Sequence, residues 1–440
     1  MAATASETAL SPFDRLMPRV YVRQILCFPS TDPNALRALK DGLAGVALDD
    51  LFTGNNLSSH IEYAQLKADN FPPAALMASG IVPADTQPPY PDPAPVFRAR
   101  LSLVKGGFLL CIALHHSTTD ITGFDTLLKI WASNCRAGSF RPVGFDPSWM
   151  DRRVLLEPHN TTRTPPHNIP GLLHIQTPAE ASRRVTTRSS SEEWQTAIFY
   201  FPQRGLRDLK RKVNELLVSD GTAGWVSTWD ALTTLLWGAV LGAELNDHDH
   251  NPTTTHLSKA TSTIGFPVDF RSKLHPPLPQ GYLGAAFAMT SATALRDDII
   301  SLSNDAGSSS VPAVARVATA IRASLNRVND ASVRDTLAYL NHNPDQPSII
   351  LGPPHDGISI VSWADQSVYE LDWGVAVGRC DAVRLPKLPN KRYPIVLPRV
   401  PDVGDDGGGL EVIICLEKSV MERFASSGPI ARYAVLRCIS

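Results

Sequence analysis

The stretch "GGFLLCIALHHSTTD", residues 106–120, decides how this chain is read. Its continuous apolar run matches a buried strand. The run stops at two titratable residues, His115 and His116, and Asp120 follows four positions after the second. A strand ending this way delivers a side chain to a loop edge, where sites are commonly built. Neighbouring strand residues point to opposite faces, so the two histidines enter different surroundings if strand geometry persists to its end. One is then a candidate base and the other a packing residue. A satisfied structural histidine remains the alternative reading of His116. Of the 12 histidines only His116 has an aspartate four residues later, but a chain of this length produces such a spacing by chance.

Downstream, "ITGFDTLLKIWASNC" sets Phe124, Leu127, Leu128 and Trp131 on one helical face. Upstream, "RVYVRQILCF" (19–28) is rich in β-branched and aromatic residues and reads as a strand. A helix follows it in "DPNALRALKDGLAGVALDD", capped by Ser30 or Asp32. The proline-dense segment 72–95 reads as a functional wall or lid. Residues from about 150 to 195 lack periodicity and read as loop. "TAIFYF" then reads as a strand, and "LRDLKRKVNELL" as a helix burying Leu206, Leu209, Val213 and Leu216. "VSTWDALTTLLW" opens a helix so apolar that it must be buried on most sides. Between these helices, 218–223 has the composition of a linker. We therefore expect two domains, 1–217 and 224–440. Strands such as "STIGFPVDF", "ISIVSW" and "LEVIICL" alternate irregularly with helices in the second half, which predicts mixed rather than purely parallel sheets.

With 440 residues the chain exceeds one ordinary core, and 43 % hydrophobic with 19 % charged residues describes a globular protein. A net charge of −2 provides no electrostatic footprint for nucleic acid. No apolar run is long enough to span a bilayer. The six cysteines are scattered without CxxC spacing and several lie in apolar runs, so buried free thiols are expected. The N-terminus lacks the charged start and apolar core of a signal peptide, and a cytosolic protein is expected. "NDHDH" (246–250) has metal-ligand residue types but reads as a solvated run, so no metal is expected. "GDDGGG" (404–409) lacks a phosphate-loop lysine, and no G-x-S-x-G supports a nucleophile-elbow hydrolase.

Several segments together resemble the BAHD acyltransferases, in their fungal trichothecene-3-O-acetyltransferase-like branch. "HHSTTD" is similar to the family's H-x-x-x-D signature, and "LSPFDRLMPRVYVRQILCFP" to its N-terminal strand. "VSTWDALTTLLW" is similar to its buried helix, and "VDFRSKLHPPLPQGYLGAA" to its arginine-bearing loop. "VSWADQSVYELDWGVAVGRCDAVRLP" resembles the region of its D-F-G-W-G signature, and "GGLEVIICLEKSVMERF" its C-terminal strand and helix. The resemblance implies an α/β fold of α+β mixed sheets. Two chloramphenicol-acetyltransferase-like domains would flank an active-site channel open at both faces.

It also implies O-acyl transfer from an acyl-CoA co-substrate, acetyl-CoA by analogy, to a small-molecule hydroxyl, by a monomer acting without nucleic acid or membrane. His116 matches the family's base and Trp363, nine residues before Asp372, the oxyanion candidate. Asp120 matches an aspartate that pairs with an arginine rather than relaying protons. Arg271 is that arginine, Asp372 is a rival partner for it, and Gly374 belongs to the second signature. Arg271 and Lys273 are the candidates for coenzyme A phosphates. The chain departs from the pattern at Ile121 (usually glycine), Ala285 (asparagine), Val361 (threonine, which Ser362 could replace) and Ala376 (the last glycine). These departures sustain a rival reading, a non-catalytic member that binds a metabolite in the channel and steers another reaction. A condensation-type domain shares the histidine signature, but no carrier segment appears in this chain.

Overall fold

The computed structural model describes residues 9–43, 51–77, 80–83, 95–137, 145–156, 193–221, 224–245, 260–302, 311–342, 357–386, 388, 391–401 and 407–440. The run 246–250 lies outside these residues, as do 404–406 of the glycine-rich run and most of the stretch from 150 to 195. In chain order the first strands are β1 (Tyr21–Phe28), β2 (Phe52–Asn56), β3 (Phe97–Val104), β4 (Gly107–His115) and β5 (Trp194–Pro202). They are followed by β6 (Thr261–Asp269), β7 (Phe287–Leu295), β8 (Ile358–Ser359) and β9 (Val361–Ser362). The last are β10 (Ala382–Arg384), β11 (Ile395–Val396), β12 (Gly409–Glu417) and β13 (Val435–Ile439).

These strands form sheets in the orders β10-β1-β4-β3-β2, β13-β5-β12-β11-β9 and β7-β6-β8. Each sheet mixes antiparallel pairs with one parallel pair, namely β2–β3, β9–β11 and β6–β8. Strand β4 is central in the first sheet and is buried on both faces, which is why its sequence does not alternate. Phe108, Leu110, Ile112 and Leu114 point into a core shared with Phe124, Leu128 and Trp131 of the helix Ile121–Ala137. Leu109 and Cys111 point the other way, against Tyr63, Phe71 and Leu76. The second and larger core surrounds the helix Thr228–Leu245, which is buried on every side from Asp230 to Glu244. A reciprocal cap opens that helix, with Ser227 and Asp230 each accepting from the other's backbone N–H.

The segment 218–223 does not part the sheets. The helix before it, Gln203–Ser219, runs into the expected linker and buries Leu206, Leu209, Val213 and Leu217 in the same core as the helix Thr228–Leu245. Strand β5, from the first half, pairs with β12 and β13 from the second. Strand β10, from the second half, pairs with β1. Strands thus cross the expected boundary in both directions: apolar faces, rather than chain order, sort the segments between the cores. The run "ISIVSW" is likewise two short strands in different sheets, divided at Ile360. No helix among the described residues is long and apolar enough to cross a membrane.

Candidate active site

Strand pairing ends at His115, and the next residue turns out of the sheet. The His116 backbone N–H donates to Val20 at 2.8 Å, and both the Thr118 N–H and its hydroxyl return to the His115 carbonyl. The turn leaves His116 only 9 % exposed, with its ring 6.2 Å from that of Phe287 between centroids. His116 Nδ1 lies 3.2 Å from the Thr119 carbonyl oxygen. A carbonyl oxygen only accepts, so Nδ1 carries the proton and Nε2 keeps its lone pair. Burial pushes the pKa below its ordinary value, against smaller opposing pulls from backbone hydrogen bonds and Asp120. The ring is thus held neutral, with its basic nitrogen set by the turn. His115 is half-buried and lies edge-on to Tyr21, and its Nδ1 accepts from the Ser117 N–H. The two imidazoles occupy different environments and hold their protons on opposite nitrogens.

Asp120 makes no hydrogen bond to this ring among the described residues. It caps the helix Ile121–Ala137, accepting the Gly123 N–H at 3.0 Å on Oδ1. Both carboxylate oxygens receive Arg271, with Nη2 to Oδ1 at 2.9 Å and Nη1 to Oδ2 at 3.0 Å. The Ala286 N–H completes the set at 2.8 Å on Oδ2. Asp120 and Arg271 are 5 % and 6 % exposed, so this is a buried, bidentate pair. Burial alone would lower the arginine pKa, but Asp120 and then Asp269 outweigh it and hold the charge.

Asp372, the rival partner, instead accepts the Gly374 N–H at 3.0 Å. Gly374 has φ 88°, and a Cβ there would meet Arg136 Cα at 3.2 Å and the Cys135 carbonyl at 3.3 Å. This tight turn lies at the far end of the His116-side helix, about 21 Å from its first turn by helical rise. Trp373 is buried beside Trp131, and Ser30 donates to the Ala376 carbonyl. Asp372 and Gly374 therefore secure the far end of the helix and do not line the site.

Arg271 has no N–H to offer a coenzyme A phosphate. Nε and Nη2 also reach the Tyr282 carbonyl, Nη2 the Gly284 carbonyl, and Nη1 the Asp269 carboxylate. Its candidacy for that role is corrected on this ground. Lys273, half-exposed, makes no ion pair among the described residues. Trp363 is buried with Leu385, Leu388, Tyr393 and Leu397, in a cluster against which Val22 and Ile121 also pack. That cluster reaches the histidine turn, since Ile121 follows Asp120 and Val22 pairs with Leu114. No hydrogen bond or ring contact joins Trp363 to His116 among the described residues. The turn bearing Trp363 is pinned across the first sheet. Gln24 Nε2 donates to Gln366 at 2.7 Å, and Ser367 donates to Asp125 of the histidine helix through its N–H and hydroxyl. Ser362 accepts the Ala364 N–H, and Val361 packs on the Trp363 cluster.

Reading the sequence missed four contributors. Asp14 and Arg152 form another buried ion pair, at 3.3 Å, and Arg152 also donates to the Thr118 carbonyl at 2.9 Å. Asp125 fixes the Trp363 turn. Gly123 permits close approach, because a Cβ there would lie 2.6 Å from the Leu283 carbonyl. Only the S-x-x-D spacing of Ser11 and Asp14, a capping box, carried a local signal.

Known proteins share this architecture. A model of the Transferase family matches residues 66–429. The O-acetyltransferase ptmV of Penicillium ochrochloron is 25 % identical over 380 residues, covering 80 % of this chain and 75 % of that protein. Trichothecene 3-O-acetyltransferase TRI101 of Fusarium sporotrichioides is 26 % identical over 354 residues, covering 78 % and 69 %. The crystal structure of F. graminearum TRI101 with coenzyme A and T-2 mycotoxin superposes with a TM-score of 0.76 at 19 % identity, covering 97 % of this chain and 99 % of that one. The matched span covers more than half of the chain, and this chain belongs to the Transferase family, that of the BAHD acyltransferases.

Proposed function

We propose that this enzyme moves an acyl group, acetyl by analogy with its relatives, from a coenzyme A thioester to a hydroxyl of a small secondary metabolite, with His116 as general base. The observation that carries the proposal is the bond from His116 Nδ1–H to the Thr119 carbonyl, which leaves Nε2 unprotonated in a buried site. An alcohol is a poor nucleophile at neutral pH and needs such a base. Nε2 takes the hydroxyl proton as the oxygen bonds to the thioester carbon, and the carbonyl electrons move onto its oxygen. Collapse of that intermediate breaks the carbon–sulfur bond, and the departing thiolate takes the proton back from Nε2. Trp363, through its indole N–H, is the proposed donor to the oxyanion. Lys273 is the proposed contact for a coenzyme A phosphate. Asp120 acts by holding the turn, because its oxygens are occupied by Arg271 and backbone N–H groups.

The test is to incubate the protein with acetyl-CoA and a panel of hydroxylated metabolites, following acylated product by mass and free thiol by titration. Equal amounts of ester and thiol, lost in a folded His116→Ala protein, are expected. Metabolite binding with no thiol release from any acyl-CoA would favour the rival steering role instead.

A further inference from the structure

The turn that carries His116 is anchored at two points. Asp120, at its end, is held by Arg271. Thr118, in its middle, gives its carbonyl to Arg152 Nη2 at 2.9 Å. Arg152 is itself 8 % exposed and is fixed by Asp14, which is wholly buried. Asp14 holds more than Arg152: it accepts from the Ser11 N–H and hydroxyl, and from the Ala285 N–H at 2.8 Å. Ala286, the next residue, donates to Asp120. The two carboxylates thus grip adjacent peptides of one loop, and their arginines lie 5.4 Å and 5.8 Å from the Tyr282 ring between them. Between the two anchored points sits Thr119, whose carbonyl receives His116 Nδ1–H.

We propose that Arg152 and Asp14 are positioning residues for the base. They fix the Thr118–Thr119 peptide so that the Thr119 carbonyl faces Nδ1, which keeps the proton off Nε2. This rests on the reading of His116 as the base, but it concerns the tautomer, which is measurable without turnover. Arg152 suits the task because its planar fork serves Asp14 through Nε, Met150 through Nη1 and Thr118 through Nη2 at once. A lysine at this position has one ammonium and cannot span these acceptors.

The experiment uses full-length protein labelled with ¹⁵N-histidine, with His116 assigned by comparison with His116→Ala. Wild type should show a protonated Nδ1 and a bare Nε2 above the ring's titration. Arg152→Met should give a mixture of tautomers, with kcat lowered roughly 10- to 100-fold as expected for a misplaced reacting group and KM values little changed. Arg152→Lys should fall between them. Arg384→Met, which breaks the buried Arg384–Glu411 pair elsewhere, is the control for lost stability alone and should leave the tautomer unmoved. If Arg152→Met does not fold, Arg152→Lys and Asp14→Asn decide the matter by the same spectra. An unshifted tautomer and unchanged kcat in folded Arg152 variants would overturn the proposal. A wild-type protein without acyl transfer, whose tautomer still responds to Arg152, would overturn the reading of the base and not the clamp.

Discussion

The neutral ring of His116 has consequences for pH. Its pKa lies below 6.5 because burial disfavours the imidazolium more than Asp120 and the nearby carbonyls favour it. Below pH 6.5 the unfolded chain binds a proton that the native ring refuses. His116 therefore costs no stability above that pH, and a growing amount as pH falls from there towards the folded value. The same shift keeps the base unprotonated in mild acid, so the acid limb of kcat/KM should have its midpoint below 6.5; a midpoint above it would mean a different group titrates. Replacing His116 by alanine should lower the rate by roughly 10²–10⁴-fold in a folded protein. His115→Ala loses the packing on Tyr21 and should lower the melting temperature while retaining turnover. The Asp120–Arg271 pair behaves differently. Removing one partner strands the other charge in the interior, at about 3–5 kcal/mol, so Asp120→Asn and Arg271→Met should each destabilise and should be strongly non-additive together. An Asp120→Asn protein that melts like wild type yet has no activity would place the carboxylate in the chemistry.

Two elements flank the histidine turn, the helix Ile121–Ala137 and the turn at 363–367 that is tied to it through Asp125, and they differ in how far the sequence reveals them. The helix shows its apolar spacing, and Phe124, Leu128 and Trp131 bury the face that spacing implies. Strand β4 is equally plain, because both of its faces are apolar. Strand β3 is not, since "FRARLSLV" carries two arginines, and Arg100 spends its charge on the Gly80 and Val82 carbonyls rather than on solvent. Strand β7, "FAMTSATAL", interleaves three alanines with two threonines without an alternating apolar pattern, and its nine-residue pairing with β6 defines it. Among site residues, the Asp120–Arg271 pairing follows from family resemblance alone, across 151 positions of chain. The Asp14–Arg152 pair spans 138 positions and no local pattern points to it. At the meeting point, Gly123→Ala should force the helix start away from the Leu283 carbonyl, costing about 1–3 kcal/mol by overpacking. Thermal melting checks this, and an unchanged melting temperature would show that the 282–286 loop yields freely. In the facing turn, Trp363→Phe keeps the packing and removes one N–H. A loss of about 10²-fold in kcat is expected if that N–H serves the oxyanion, and an unchanged rate would move the donor elsewhere.

At the scale of the molecule, the chain crosses between its cores in both directions. Val368, Trp373, Val377 and Val383 come from the second half and complete the core above β4. Phe199, Phe201, Leu206 and Val213 come from the first half and complete the core around the helix Thr228–Leu245. Cutting at 218–223 would therefore leave fragment 1–217 with β5 unpaired and β1 without its neighbour β10. Fragment 224–440 would lose the strand that lies between β13 and β12. An unpaired edge and an open apolar face favour aggregation over folding. We expect neither fragment to unfold cooperatively alone, and co-expression to restore a single melting transition together with acyl transfer. Circular dichroism melts of each fragment and of the co-purified pair measure this. The exchange also bears on the site, because the Asp120–Arg271 and Asp125–Ser367 contacts both join residues of one fragment to residues of the other. Two fragments that each melted cooperatively, and bound without restoring turnover, would show that the crossed strands are dispensable for folding and that the site alone needs both halves.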